Sequence, residues 1–149
     1  MESKAMTVFG GMNTARLVLL PSGLIAVVIA VTILFAPEAF YAGYGIEVNA
    51  NVTLTNELKA PAGMLLVAGL LMLAGVVRSD LAAVSLATAA AVYLSYGLSR
   101  MASIAMDGIP HSGLVGAAGI ELAIGAVCLL TLLQVRSSTL ADAAEEKAA

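Results

Sequence analysis

The sequence predicts an all-α integral membrane protein, a four-helix bundle of up-down-up-down topology with both termini cytoplasmic. Three observations predict it. Hydrophobic residues fill 60% of the 149 positions and charged residues only 11%, with a mean hydropathy of +0.98, outside the range of soluble globular domains. Four apolar runs are each of a length to cross a ~30 Å hydrocarbon core. The connectors after the second and third runs, Arg78-Ser79-Asp80 and Asp107 to Ser112, are short enough to force antiparallel neighbours.

The chain reads as one transmembrane domain, residues 17–135, between a short cytoplasmic arm at 1–16 and a polar tail at 136–149. The first span is Leu17 to Ala36, with Pro21 in its first turns, where a missing amide is tolerated. It is too long for a signal-peptide core, and Pro37 after Ala36 makes a poor cleavage site, so the segment is expected to be retained. Pro37 to Asn56 forms the longest loop, with Phe40, Tyr41 and Tyr44 placed as an interfacial aromatic belt and Asn49, Asn51, Thr53, Thr55 and Asn56 as turn and cap formers. The second span covers 57–77. Its apolar body starts only at Pro61, so the Glu57 to Ala60 turn is drawn into the same helix to reach spanning length. Gly63, Ala68, Gly69 and Gly75 give it small faces for close packing. The third span is 81–106 and the fourth 113–135, the latter with Gly113, Ala117, Glu121 and Gly125 four apart on one side.

Lys4, Arg16, Arg78, Arg136 and Lys147 all fall on one side of such a bundle, and the positive-inside rule makes that side, with both termini, cytoplasmic. Lys59 and Arg100 are the exceptions. Counted from Pro110, Arg100 lies ten residues before the turn and Glu121 eleven after it, so at ~1.5 Å per residue they share a depth. Counted from Ser79, Glu57 lies 22 residues before and Arg100 21 after. Glu57, Arg100 and Glu121 are therefore expected in one layer. An unpaired charge at mid-helix costs ~2.5–3.5 kcal/mol on insertion scales, and the planar fork of arginine suits two carboxylates.

Tyr93, Tyr96, Arg100, Ser103 and Asp107 recur at spacings of three and four, a polar stripe on the third span. Two readings stand. The layer fixes helix register, or it floors a polar pocket open to the outer face, rimmed by Glu57, Lys59, Asp107 and His111. Taken together, the expected ligand-binding residues are Glu57, Lys59, Tyr93, Tyr96, Arg100, Asp107, His111 and Glu121.

One cysteine, Cys128, rules out an intrachain disulfide, a CxxC pair and a cysteine zinc cluster, and one histidine rules out bis-histidine haem within one chain. The net charge of -3 carries no basic stripe, which sets nucleic acid aside. No Walker or dinucleotide loop is present, no catalytic or metal site is expected, and the sequence names no cofactor.

Asn56-Glu57-Leu58-Lys59-Ala60-Pro61-Ala62-Gly63, Gly97-Leu98-Ser99-Arg100, Asp107-Gly108-Ile109-Pro110 and Glu121 together resemble a bacterial four-helix membrane family, domain of unknown function 4345, with a DoxX-like arrangement. The resemblance covers the four spans and omits both tails. It implies that the family's acidic and basic positions fall on Glu57, Lys59, Arg100, Asp107 and Glu121, with Lys59 where arginine is expected. The family lends no mechanism, and the looser likeness to DoxX implies an accessory part in membrane redox complexes.

The expected function is that of a small inner-membrane protein, a non-catalytic binding or accessory protein. Its partners are the lipid bilayer and a small polar or amphipathic ligand, or else a membrane-protein partner or a second copy. Two rivals are a redox-complex subunit contacting a quinone headgroup through Tyr96, Arg100 or His111, and an oligomeric small-molecule or proton-coupled transporter.

Overall fold

The computed structural model describes the backbone of residues 2–48 and 51–148, and the side chains of 13–48 and 51–138. Asn49, counted among the turn formers, and the side chains of Lys4 and Lys147, used for orientation, lie outside the described residues.

Five helices follow one another: α1 (Glu2–Phe35), α2 (Pro37–Ala42), α3 (Val52–Val77), α4 (Ala82–Asp107) and α5 (Ser112–Ala148), with one 3-10 turn at Ser79–Leu81 before α4. No strand occurs among the described residues. Four segments, Asn13–Phe35, Val52–Val77, Ser79–Asp107 and Ser112–Ser138, are long and apolar enough to cross a membrane. The chain is an all-α, multi-pass, four-helix membrane bundle.

Local chemistry sets the element ends. Pro37 opens α2 at its first positions, where its missing amide is no loss. Asn51 caps α3, its Oδ1 accepting from the Leu54 N–H at 3.0 Å, so the helix begins five residues before Glu57. Gly108, at φ 101°, takes the positive-φ conformation that ends α4, which an L side chain rarely adopts. At the far ends, α1 begins well before the first apolar run, and α5 continues as helix through the alanine-rich tail.

The long helices form a ring. α1 packs most extensively on α3 and α4 on α5, while α3 meets α4 and α1 meets α5, leaving α3 and α5 at opposite corners. Each tight pair is made by reciprocal notches. A Cβ on Gly97 would lie 2.7 Å from Leu122 Cγ of α5, and one on Gly125 would lie 2.7 Å from Leu94 Cγ of α4. Across α1 and α3 the same exchange joins Gly23 to Leu73 and Gly69 to Val27, at 2.8 and 2.9 Å. Leucine or valine thus fills the space a side chain vacates, and the backbones approach closely enough for dispersion to act where water-driven burial does not.

Leu19, Met72, Leu86 and Cys128 are fully buried at the centre. Ser85 Oγ donates to the Leu71 carbonyl at 2.7 Å, knitting α4 to α3. Tyr93 crosses the bundle and donates its hydroxyl to the Ser22 carbonyl at 2.6 Å. The same Ser22 directs its Oγ to the Val18 carbonyl at 2.7 Å.

Two outcomes follow from this packing. Alanine at Gly97 or Gly125 pushes into Leu122 or Leu94 and is expected to cost about 1–3 kcal/mol, lowering the melting temperature in detergent. Gly63→Ala, which meets open space, leaves it unchanged. Tyr93→Phe removes the bond that ties α4 to the Ser22 carbonyl of α1 and is expected to destabilise by about 0.6 kcal/mol, the average for hydrogen bonds between membrane helices, and by no more than about 1.7, read in the same melts.

Candidate functional site

One of the two glycine notches between α4 and α5 lies one turn from the bundle's charged pair. Gly97 stands three residues before Arg100, and its partner Leu122 stands directly after Glu121. The notch that locks these helices therefore fixes the two charged residues opposite one another. Arg100 Nε donates to both carboxylate oxygens of Glu121, at 2.9 Å to Oε2 and 3.2 Å to Oε1. Seven residues separate Arg100 from the end of α4 and nine separate Glu121 from the start of α5, which places the pair roughly 10–13 Å below the helix ends.

The pair is not sealed. The Arg100 side chain is 33% exposed and that of Glu121 16%. Neither terminal guanidinium nitrogen, Nη1 or Nη2, bonds to any described residue. Among the described residues no buried polar side-chain atom lacks a partner, so these nitrogens sit at the accessible face of the pair.

Tyr96, partly buried on α4 one turn before Arg100, lies within electrostatic range of both Arg100 and Glu121. From the loop between the first two spans, Tyr41 of α2 lies within range of Tyr96 and Arg100. Burial pushes the Tyr41 hydroxyl above its ordinary value, Tyr96 adds to the rise and the Arg100 charge opposes it. Neither phenol bonds to a described residue. Phe40 packs edge-on to Tyr41 and to Tyr44, with centroids 5.2 and 5.5 Å apart. Tyr44 reaches His111 at 6.3 Å.

The loop after α1 thus lies against the neighbouring ends of α4 and α5, with Tyr44 beside His111 and Gly113 and Tyr41 within electrostatic range of Arg100. Tyr41 and Tyr44 are the residues that sequence reasoning missed. The available signal was Pro37 as a helix start, with Phe40 and Tyr41 inside the short helix it opens and Tyr44 just after it.

Of the three charges expected in one layer, the structure pairs two. Glu57 is exposed and forms no ion pair with a described residue. Its matching depth is not enough, because α3 stands at the corner opposite α5 and Arg100 is turned toward α5, where the glycine notches draw the helices together. Tyr93 is buried on Ser22 rather than facing the outer end. Lys59 is partly buried, without an ion pair among the described residues. Asp107 is exposed and accepts from Ser103 Oγ at 3.0 Å. His111 is exposed and caps the start of α5, its Nδ1 accepting from the Gly113 N–H at 3.2 Å. The space beside Glu121 at Gly125 is filled by Leu94.

Among the described residues no group of three His, Cys, Asp or Glu side chains is placed to hold a metal ion. What remains is one ion pair with spare donors and two neighbouring phenols, an arrangement suited to hydrogen-bonding a ligand.

No match was found among curated proteins or among solved structures. The model of the family described as a domain of unknown function, DUF4345, matches residues 14–132. That stretch contains Tyr41, Tyr96, Arg100 and Glu121 and runs from the first span into the fourth; the chain belongs to this family.

Proposed function

We propose that this is a non-catalytic binding or accessory protein of the bacterial inner membrane, oriented with both termini cytoplasmic. In this reading the periplasmic half of the bundle takes a small amphipathic ligand at Arg100, Glu121, Tyr96 and Tyr41. One observation carries it: the guanidinium holds Glu121 through Nε alone, leaving four N–H donors of the two terminal amines without partners among the described residues. An arginine that served only to neutralise Glu121 within hydrocarbon gains most by the bidentate fork, which spends its donors on the carboxylate. Here they are left free, with the phenols of Tyr96 and Tyr41 within electrostatic range of the guanidinium. Lys59, Asp107, His111 and Glu57 lie toward the outer end and form the rim of the route in, and Tyr93 supports the floor from below.

Native mass spectrometry of gently extracted protein tests this. Wild type is expected to carry a bound small-molecule or lipid mass that Glu121→Gln loses while its helicity is unchanged; equal retention by both returns the pair to a register role. Stability provides the companion measurement. Arg100→Met alone strands a carboxylate and is expected to cost about 3–5 kcal/mol, whereas Arg100→Met combined with Glu121→Gln recovers much of the loss in thermal melts.

A further inference from the structure

We propose that the head group taken at Arg100 is a neutral hydrogen-bond acceptor, a carbonyl of the ketone or ester class on an apolar tail, rather than a carboxylate or phosphate. This rests on the binding site described above and names its ligand class.

Charge is the first argument. Arg100 is already neutralised by Glu121 at 2.9 Å, so an incoming anion would add an uncompensated charge to a low-dielectric site. The surroundings oppose it further. Around it, Glu38, Glu57 and Asp107 stand against Lys59, a field that repels anions on approach. A cation fares no better, because both oxygens of Glu121 are engaged by Arg100 Nε.

Hydrogen-bonding capacity is the second. What the site leaves unused is donors: the two terminal amines of Arg100 and the hydroxyls of Tyr41 and Tyr96. A tyrosine hydroxyl in its ordinary protonated form is able to donate. A carbonyl oxygen has two lone pairs and no charge, and it accepts from such donors without asking the ion pair to open. The tail then has an apolar path. Leu98 and Met101 of α4 and Ile120 of α5, next to the pair in sequence, are 59%, 48% and 60% exposed, offering a lipid-facing surface along which a hydrocarbon chain lies.

The test compares three probes of matched length on the full chain in neutral maltoside micelles: methyl undecyl ketone, dodecanoate at alkaline pH, where it is ionised, and dodecane. Binding is read by thermal stabilisation, and the carbonyl stretch of the isotopically labelled ketone by infrared spectroscopy. Wild type is expected to bind the ketone at least about tenfold more tightly than dodecanoate, with the carbonyl stretch moved to lower wavenumber. The double variant Arg100→Gln, Glu121→Gln is expected to lose both effects, and Tyr41→Phe to weaken ketone binding about fivefold with the melting temperature of the ligand-free protein unchanged. Tighter binding of dodecanoate that still depends on the pair overturns the neutral class and leaves the binding site standing. Equal effects of all three probes on wild type and double variant, or no effect of any, overturn the class and the site together.

Discussion

A guanidinium roughly 10 Å below the helix ends, its side chain only 33% exposed, loses most of its hydration, and the packing of α4 on α5 answers to that constraint. Arg100 is tolerable there because Glu121 is held at hydrogen-bonding distance by a helix that cannot drift. The two glycine notches on either side of the α4–α5 contact supply that rigidity: each lets a leucine from the facing helix seat against backbone, and together they set both the separation and the register of the pair. Packing and electrostatics are thus one device here. Loosening the notch would move the charges apart, and removing one charge would leave the other in hydrocarbon.

The bundle is not uniform along its length. Leu19, Met72, Ser85 and Leu86 bury fully toward the α3–α4 connector, and Ser85 ties the two helices there through the Leu71 carbonyl. The outer ends of α4 and α5 are largely exposed, and partly buried Tyr41 and Tyr44 are supplied by a different part of the chain. One half of the bundle is therefore firmly packed and the other more open.

Much of this was legible in the sequence. The four spans followed from apolar run length, and the Arg100–Glu121 pair followed from counting residues outward from Pro110, because two helices joined by a short turn have their relative depth fixed by covalent geometry. The same count misled for Glu57. Depth is one coordinate and azimuth is another, and a hydropathy pattern does not say which helix stands at which corner of a four-membered ring. The start of α3 was read late because Asn51 acts through a single side-chain bond to the Leu54 amide, a signal shared by many turns. Tyr41 and Tyr44 escaped because aromatic residues beside a span look alike whether they face headgroups or fold back over the protein. Only the path of the short helix after Pro37 distinguishes the two.

The division of the ring into α1 with α3 and α4 with α5 bears on how the molecule comes together. Each half is a helical hairpin closed by its own reciprocal glycine exchange, with contacts that are near in sequence and quick to form. Arg100 and Glu121 belong to one hairpin, so their charges find each other as soon as that hairpin closes, before either must face lipid unaccompanied. Tyr41 belongs to the other. The complete constellation therefore exists only after the two hairpins dock, and a chain arrested at the earlier stage would be electrostatically satisfied yet lack the Tyr41 phenol.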